Sequence, residues 1–249
     1  MSFLACPVAQ DTGPNTDVCF FVEYHGQRFG LPELPDWGSP QLMHEVLVEG
    51  HTESGVRVCG GTAIKGRASV MQEIDAGCNT LVPYQGSPSE APAEPLTARE
   101  KALARQVAKD PAVSVLPAYS GFDYPRPPQP PYKATRFAVS YPFDSDRGPA
   151  LDMMRVRELA VLAMRSRARV DVRGFRADSR LMDGHVLEEN AGMAEDRARK
   201  IAGILVGLGV SPQKIHVSWQ RSAIPGSGDD DWRSRKVEIA VTPSPTKSP

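Results

Sequence analysis

The sequence predicts an α+β protein built from two unlike parts. All four cysteines fall in the first third of the chain, and the same third contains short runs of β-branched and aromatic residues separated by glycine-containing turns. After residue 135, strand-like runs alternate with amphipathic helical segments. We therefore expect a small, barrel-like, disulfide-stabilised all-β domain at residues 1–84 and a β-α-β-α-β-β domain at residues 134–243.

Length and charge are consistent with this division and argue against some classes of protein. The 249 residues, of which 41% are hydrophobic, are enough to form two cores of ordinary size. The 30 acidic and 29 basic residues give a net charge of -1, which argues against a protein whose main partner is nucleic acid. The first residues lack the charged start and apolar stretch of a signal peptide, so Met1 is interpreted as a mature or artificial start.

The N-terminal domain is predicted from strand and turn signals. A His25-Gly26 turn between two β-type runs predicts a hairpin, and Gly60-Gly61 indicates a bulge or tight bend. An open five-stranded barrel of the oligonucleotide- and oligosaccharide-binding type suits the strand count. The strands are expected within residues 18–31, 45–50, 56–61 and 68–74.

The cysteines predict a local disulfide framework and an oxidising compartment such as the periplasm. They are Cys6, Cys19, Cys59 and Cys78. Of the three connectivities that four cysteines permit, we favour Cys6 with Cys19 and Cys59 with Cys78. The alternatives are four buried thiols in a cytosolic protein, a redox-active thiol, and a zinc site with His44 and His51 as further ligands. Zinc is the weakest alternative because no Cys-x-x-Cys or His-x-x-x-His spacing is present.

Residues 85–133 are predicted to connect the two domains. Residues 85–96 are rich in proline, serine and glutamate and predict a linker. Thr97 and Glu100 form a capping-box pattern that predicts a helix over residues 97–109. Residues 124–131 contain five prolines of eight residues and predict a semi-rigid spacer. Residues 244–249 are predicted to be a disordered tail.

The C-terminal domain is predicted from alternating strand and helix periodicity. Strands are expected at residues 136–143, 169–174, 215–219 and 236–242, and helices at about 150–166 and 190–208.

Three short motifs in this domain occur in the order that the OmpA-like peptidoglycan-binding family shows. The first is Gly174-Phe175 at the end of a strand, and the second is Asn190 followed by Arg197-Ala198 at the start of a helix. The third is the run Ser234-Arg235-Lys236-Val237-Glu238 on the closing strand. Residues 135–243 therefore resemble that family.

The resemblance implies that the chain binds the diaminopimelate stem peptide of peptidoglycan. In the family an arginine holds the ligand carboxylate, and Arg197 matches it. Asn190 matches the motif asparagine, for which we expect a role in capping the helix and ordering the loop. Arg235 resembles the first arginine of the closing-strand motif Asn-Arg-Arg-Val-Glu, although Ser234 replaces the asparagine. An aspartate is expected to hold the ligand ammonium.

The aspartate is where this chain departs from the family pattern. The family reads Gly-aromatic-x-Asp, whereas Ala177 stands at the aspartate position and Asp178 follows one residue later. A shift of one residue turns a side chain to the other face of a strand, so Asp178 reaches the pocket only if a bulge corrects the register. Asp183, in the turn signal Asp183-Gly184-His185, is the second candidate.

The sequence therefore predicts a non-enzymatic envelope protein of the periplasm or of the periplasmic face of the outer membrane. Its C-terminal domain would anchor it to peptidoglycan, and its N-terminal domain would bind other envelope proteins. The alternative is a structural component of an envelope secretion or conjugation machine whose OmpA-like domain no longer binds peptidoglycan. No nucleophile motif with a matching base is recognisable, and we expect no cofactor and no metal.

Overall fold

The computed structural model describes residues 1–13, 18–31, 40–84 and 128–244. The predicted helix at 97–109, the linker at 85–96 and residues 124–127 of the predicted spacer lie outside the described residues. The described N-terminal residues form seven strands: β1 Ser2–Ala5, β2 Pro7–Gln10, β3 Cys19–Tyr24, β4 Gln27–Leu31, β5 Val46–Val58, β6 Gly61–Val70 and β7 Thr80–Val82.

These seven strands form one sheet in the order β1-β5-β6-β4-β3-β2-β7. β1 lies at one end of this order and β2 is next to the other end, yet only Cys6 separates them along the chain. The sheet must therefore curl on itself. It has seven strands where the sequence predicted a five-stranded barrel, and its end strands β1 and β7 are not paired with each other among the described residues. We call the described residues of 1–84 the barrel. Its core is apolar and includes Phe3, Val22, Phe29, Val46 and Val48.

The barrel differs from the prediction in its longest strand. Two strands were expected at 45–50 and 56–61, but β5 runs without interruption from Val46 to Val58. Its register against β6 shifts between Thr52 and Arg57, where exposed residues replace buried ones. β6 ends at Val70, so residues 71–74 are not part of the strand.

The predicted disulfide pairing is wrong. The structure joins Cys6 to Cys78 and Cys19 to Cys59, with Cα–Cα distances of 4.7 Å and 5.6 Å. The reason is strand register: Pro7, next to Cys6, pairs with Val22, three residues away from Cys19. β7 instead runs parallel to β2, and this pairing brings the preceding Cys78 to Cys6.

The C-terminal residues form a four-stranded sheet with two helices, in the predicted order. The elements are β8 Thr135–Ser140, α1 Ala150–Ser166, β9 Arg169–Gly174, α2 Met193–Gly207, β12 Ile215–Trp219 and β13 Lys236–Thr242. Between β9 and α2, two short strands, β10 Ser179–Arg180 and β11 Val186–Leu187, pair with each other. The sheet order is β12-β9-β13-β8, in which β9 and β12 are parallel and β13 is antiparallel to both of its neighbours.

Both helices pack on one face of this sheet. Alternate residues of β9 and β13 point into the shared core, which contains Val170, Val172, Val237, Ile239 and Val241. The helices contribute Leu159, Ala163, Ile201 and Leu205 among others. No helix within the described residues is long and apolar enough to cross a membrane.

The ends of this part extend beyond the predicted limits. Tyr132, which falls in the predicted linker, packs against the core. Ser244, which falls in the predicted tail, donates its hydroxyl to the carbonyl of Arg167 at 2.7 Å and its N–H to the carbonyl of Ser166 at 3.2 Å. Residues 245–249 lie outside the described residues.

The barrel packs directly against the C-terminal part. Leu47, Phe143 and Leu181 are buried together between the two parts. The Phe143 N–H donates to the Ser69 hydroxyl at 3.1 Å, and the Gln72 side chain donates to the Asp144 carbonyl at 2.5 Å. This contact, which we call the seam, fixes the barrel against the residues that the sequence singled out.

Candidate functional site

Gly174 is what allows Arg197 to enter the interior. β9 ends at Gly174, and a Cβ atom there would lie 1.9 Å from the carbonyl oxygen of Ala194 and 3.0 Å from the Cβ of Ala198. No side chain fits in that space, so only glycine lets the first turns of α2 pack directly on the strand. The close approach carries Arg197 to a position where its side chain is 0% exposed.

Hydrogen bonds within the chain use all five N–H groups of the Arg197 guanidinium. Nε donates to the carbonyl oxygen of Ser145 at 2.8 Å. Nη1 donates to the carbonyl oxygen of Phe175 at 3.2 Å and to Oε2 of Glu189 at 3.0 Å. Nη2 donates to the carbonyl oxygen of Pro142 at 3.1 Å and to Oε1 of Glu189 at 2.5 Å. No donor of this arginine is left for a ligand.

Glu189 supplies the carboxylate that Arg197 holds. Its side chain is also 0% exposed. Oε1 accepts a second hydrogen bond from the N–H of Asp144 at 2.8 Å, and Oε2 accepts one from the N–H of Ala177 at 2.9 Å. The two-bond arginine–carboxylate geometry is the one expected for a bound ligand carboxylate. Here both charged groups belong to the same chain.

Tyr141 closes the site on another side. Its ring centroid lies 5.0 Å from Cζ of Arg197, within the range of a cation–π contact. Burial raises the pKa of the Tyr141 hydroxyl well above its usual value, although the nearby Arg197 charge opposes this. The tyrosine therefore stays neutral wherever the protein is folded at ordinary pH.

The structure does not bring Asp178 to Arg197. The N–H of Asp178 donates to the carbonyl of Ile224 at 3.0 Å, and its Oδ1 atom is buried with no hydrogen-bond partner among the described residues. Ala177, at the family's aspartate position, is 1% exposed and offers only its N–H, to Glu189. The expected convergence of Arg197 and Asp178 on one pocket is absent from this arrangement.

Asp183 lies in an exposed turn beyond β10. Its carboxylate accepts hydrogen bonds from the N–H of His185 at 2.9 Å and pairs with the His185 ring at 3.0 Å. The His185 hydrogen bond lowers the pKa of Asp183, and Asp183 in turn raises the pKa of His185. Asp183 makes no contact with Arg197.

Asn190 does not cap α2 through its side chain, contrary to the first of its two expected roles, but it does order the loop before the helix. The helix begins at Met193 after Gly192, and no side chain caps its first turn. Asn190 instead bonds Asp144 through both its N–H, at 2.8 Å, and its side-chain amide. The asparagine thus ties the loop before α2 to the loop that follows β8.

Arg235 is held by the barrel. It is 0% exposed and forms an ion pair with Glu49 of β5, which is also 0% exposed. Nη1 of Arg235 donates to the Ser179 hydroxyl at 2.8 Å, and that hydroxyl donates to Oε1 of Glu49 at 2.9 Å. Burial raises the pKa of Glu49, and Arg235 opposes the increase. The second candidate arginine is therefore also engaged inside the protein.

Comparison with solved structures finds similar domains for the C-terminal part. The OmpA-like domain of FopA1 from Francisella tularensis is 16% identical, with 45% of this chain and 77% of that chain covered and a TM-score of 0.34. The C-terminal domain of Helicobacter pylori MotB is 23% identical, with 43% and 85% covered and a TM-score of 0.35. An outer membrane protein from Borrelia burgdorferi is 17% identical, with 44% and 88% covered and a TM-score of 0.30.

The C-terminal part resembles OmpA-like domains. This similarity agrees with the resemblance inferred from the sequence motifs, and we call residues 135–243 the OmpA-like part. No protein-family model matches the sequence, and a comparison with curated proteins finds no match.

Two groups of metal-ligating side chains lie close together within the described residues. One comprises Cys6, Cys78 and Asp75, but these cysteines are joined in a disulfide and offer no thiolate. The other comprises His51 of the barrel with Asp229 and Asp230 of the OmpA-like part, whose carboxylates lie 3.1 Å and 3.6 Å from the His51 ring across the seam. The alternatives of a zinc site and of a redox-active free thiol both lack the free cysteine that they require.

Sequence reasoning missed the acidic partners of both buried arginines. Glu189 directly precedes the motif asparagine, Asn190, but a pair of adjacent glutamates in a loop reads as solvent-exposed. Glu49 lies in a run of otherwise apolar and small residues of β5, which is the one available signal that it faces an interior partner. Neither signal identifies the arginine concerned.

Proposed function

We propose that this protein is a non-catalytic structural component of a bacterial envelope assembly, in which the OmpA-like part does not hold peptidoglycan through Arg197. The observation that supports the proposal is the saturation of Arg197, whose five N–H groups are all bonded within the chain. In this view Glu189 is a permanent internal substitute for the carboxylate of the stem peptide.

A ligand carboxylate would have to displace Glu189, and the geometry opposes this. Glu189 is part of the same chain, so its effective concentration at Arg197 is on the order of millimolar or higher. It also accepts N–H groups from Asp144 and Ala177, which would lose their partner if it left. An unpaired buried donor costs about 1–3 kcal/mol. Exchanging Glu189 for a ligand carboxylate would therefore replace one arginine–carboxylate pair by another and would also leave these two N–H groups unpaired.

The ammonium end of the ligand also lacks its expected partner. Ala177 carries no carboxylate, and its N–H already bonds Glu189, so an aspartate here would place a second carboxylate on a residue in contact with Glu189. Position 177 thus lacks the carboxylate that would bind the ligand ammonium, and Glu189 supplies the carboxylate that binds Arg197.

Two disulfides and the packed seam support an envelope location and a role as an adaptor. Disulfides persist in oxidising compartments, which suits the periplasm or the periplasmic face of the outer membrane. The barrel and the OmpA-like part share a buried ion pair and an apolar cluster. We infer that they act as one unit, in which the barrel supplies a surface for other envelope proteins.

Binding to the cell wall by the family route is the second candidate. The presence of Arg197 and Asn190 at the family spacing favours it. It requires that Glu189 leave the arginine and that Asp178 or Asp183 move to the ammonium. This candidate predicts that free diaminopimelate competes for the site.

A sacculus pull-down separates the two candidates. The full chain is sedimented with diaminopimelate-containing sacculi, alone and with free diaminopimelate as competitor. Our proposal predicts no retention above that of an unrelated soluble protein. Retention that the competitor removes, and that Arg197→Lys reduces while the exposed Arg199→Lys does not, would establish wall binding instead. Circular dichroism of each variant shows whether it is folded.

A gain-of-function variant tests the role of Glu189 directly. Ala177→Asp combined with Glu189→Gln restores the family aspartate and removes the internal carboxylate. If Glu189 is what excludes the ligand, this variant should bind sacculi more strongly than the wild type. Equal retention of both proteins would show that Glu189 is not the obstacle.

A further inference from the structure

A long groove follows the seam between the barrel and the OmpA-like part. It consists of two adjoining cavities of about 790 and 760 Å³. Both are lined by Met71 and Gln72 of the barrel and by Phe143 and Asp144 of the OmpA-like part, so they are continuous. We call these two cavities the seam groove. It exists only because the barrel is docked on the OmpA-like part.

The floor of the seam groove is apolar. Leu4, Met71 and Leu187 line it and pack on the buried cluster that includes Phe143. At the rim, Ile74 is 73% exposed, the most exposed large hydrophobic side chain among the described residues. An exposed apolar side chain beside an apolar floor is a feature of binding grooves, because both lose unfavourable contact with water when a partner covers them.

The rim of the second cavity is acidic. Its lining includes five carboxylates and, within the described chain, no lysine, arginine or histidine. The five are Glu45, Glu73, Asp75, Asp144 and Glu188. Asp144 is bonded to Asn190, and Asp75 accepts the N–H of Gly77 at 2.8 Å. The carboxylates of the three glutamates make no hydrogen bond or ion pair with any described residue, so their charge is uncompensated.

This arrangement fits a polypeptide better than a metal ion. A divalent cation needs several ligand atoms that converge on one point. The only described groups that converge in this way are the Cys6 and His51 groups, and neither contains a rim glutamate. The rim glutamates are instead spread along an apolar floor. Lysine or arginine side chains can reach such acids while apolar side chains between them cover the floor.

We propose that the seam groove binds an extended segment of a partner protein in which lysine or arginine side chains flank an apolar side chain. The inference rests on the proposed adaptor function and names the chemistry of its partner. The apolar side chain of the segment lies against Phe143 and Ile74. Its cationic side chains pair with Glu45, Glu73 and Glu188.

The test measures binding of the full-length chain to a fluorescent peptide, Gly-Lys-Leu-Lys-Ile-Lys-Gly with blocked ends, by anisotropy at low ionic strength. The groove variant carries Glu45→Gln, Glu73→Gln and Glu188→Gln. We expect it to bind about tenfold or more weakly, because three uncompensated charges are lost. A matched control carries three exposed glutamates elsewhere changed to glutamine: Glu23→Gln, Glu53→Gln and Glu238→Gln. It should bind within about twofold of the wild type.

A further variant separates the groove from simple charge attraction. Ile74→Ser leaves the charge unchanged and should weaken binding about threefold or more, since apolar area at the rim is lost. The proposal is overturned if the wild type does not bind the peptide, if both triple variants lose binding equally, or if Ile74→Ser has no effect while the triple variant does. None of these outcomes alters the sacculus result, so failure here is distinct from failure of the adaptor function.

Zero-length carbodiimide cross-linking identifies any other occupant. With peptide present, cross-links should join the rim glutamates to the peptide lysines. If the free protein already shows cross-links from the rim to its own Lys101 or Lys109, the groove holds another segment of the same chain. Cross-linked dimers through the rim would identify a second copy as the occupant. Either result overturns the proposal.

Discussion

Glu49 of the barrel and Arg235 of the OmpA-like part form an ion pair in which both side chains are 0% exposed. Ser179 bonds both partners, at 2.8 Å to the guanidinium and 2.9 Å to the carboxylate. The pair spans 186 positions of the chain and joins the two parts at the centre of the seam. A double-mutant cycle at these two positions measures how strongly the pair couples the two parts.

Removing one partner of this pair should destabilise the protein strongly. Glu49→Leu leaves Arg235 buried without a counter-charge, and such a loss costs about 3–5 kcal/mol in the free energy of unfolding. Arg235→Met should cost a similar amount. The double variant Glu49→Leu with Arg235→Met should recover much of the loss, because no uncompensated charge remains. Urea denaturation of the four proteins gives the coupling energy.

The exposed pair of Arg28 and Glu23 is the control for this cycle. Its disruption by Arg28→Ala should cost no more than about 1 kcal/mol. Losses at Glu49 and Arg235 that simply add would show that the two side chains are not coupled.

Arg197 should matter more for stability than any exposed arginine of α2. Arg197→Ala leaves Glu189 buried and also removes the partners of three carbonyl groups, so a loss of about 3–5 kcal/mol in the free energy of unfolding is expected. Arg199 lies two residues further along α2, is exposed, and pairs with Glu195. Arg199→Ala should cost less than about 1 kcal/mol. Similar losses for the two variants in chemical denaturation would contradict the internal role of Arg197.

Each disulfide should contribute to stability and be detectable by peptide mapping. Digestion without reductant should yield linked peptides containing Cys6 with Cys78 and Cys19 with Cys59. The bonds span 72 and 40 positions, for which chain-entropy arguments predict about 4 kcal/mol each. Thermal unfolding with and without reductant measures the combined effect. A linked peptide of Cys6 with Cys19 would contradict the structure.

Asp231 makes the stability of the loop before β13 depend on pH. Burial alone would raise the pKa of this carboxyl, but the N–H groups of Ser227, Arg180 and Gly228 outweigh burial, so the pKa lies below its usual value. A lowered folded-state pKa means that the ionised carboxylate stabilises the fold above the unfolded pKa of about 3.9, and that this stabilisation is lost as the pH falls through the folded-state pKa.

Asp231→Asn should therefore lower the melting temperature at pH 7. The difference from the wild type should shrink as the pH falls below about 4, because the wild-type carboxylate then becomes protonated. Thermal unfolding of both proteins at pH 7, 5 and 3 checks this. A difference that stays constant over this range would show that ionisation of Asp231 contributes nothing.

Gly174 should not tolerate even a methyl group. In Gly174→Ala the new Cβ would meet the Ala194 carbonyl, so the start of α2 must shift, at a cost of about 1–3 kcal/mol or more. Gly203, on the same helix, has nothing within 4 Å of its would-be Cβ. Gly203→Ala should stabilise the protein by up to about 1 kcal/mol, since alanine favours the helix. Equal effects of the two changes on urea midpoints would disprove the packing argument.

Much of the OmpA-like part could be predicted because its signals are local. The apolar alternation of β9 and β13 and the helical periodicity of α1 gave bounds that match the structure closely. α2 was placed three residues too early, because Asn190 resembles a helix cap and its actual partner, Asp144, is remote in sequence. The pair β10 and β11 was missed, since each has only two residues.

The sequence predicted which residues of the candidate site are special, but not which groups they contact. The motif marks Arg197 correctly as special, but whether such an arginine faces a ligand or an internal acid depends on a long-range contact. Glu189 reaches it only because the loop after β11 folds back over Ala177. The disulfide pairing failed for the same reason, since the partner of Cys6 is set by the parallel pairing of β2 and β7, a contact between distant segments.

The Cys6–Cys78 bond has a consequence for the seam groove. Cys78 ends the segment that bears Glu73, Ile74 and Asp75, and hydrogen bonds link Cys78 to Asp75 and to Met43. The acidic edge of the seam groove is thus anchored at one end by a covalent bond to the corner between β1 and β2. A chain in which this bond is reduced would carry the edge unanchored at that end.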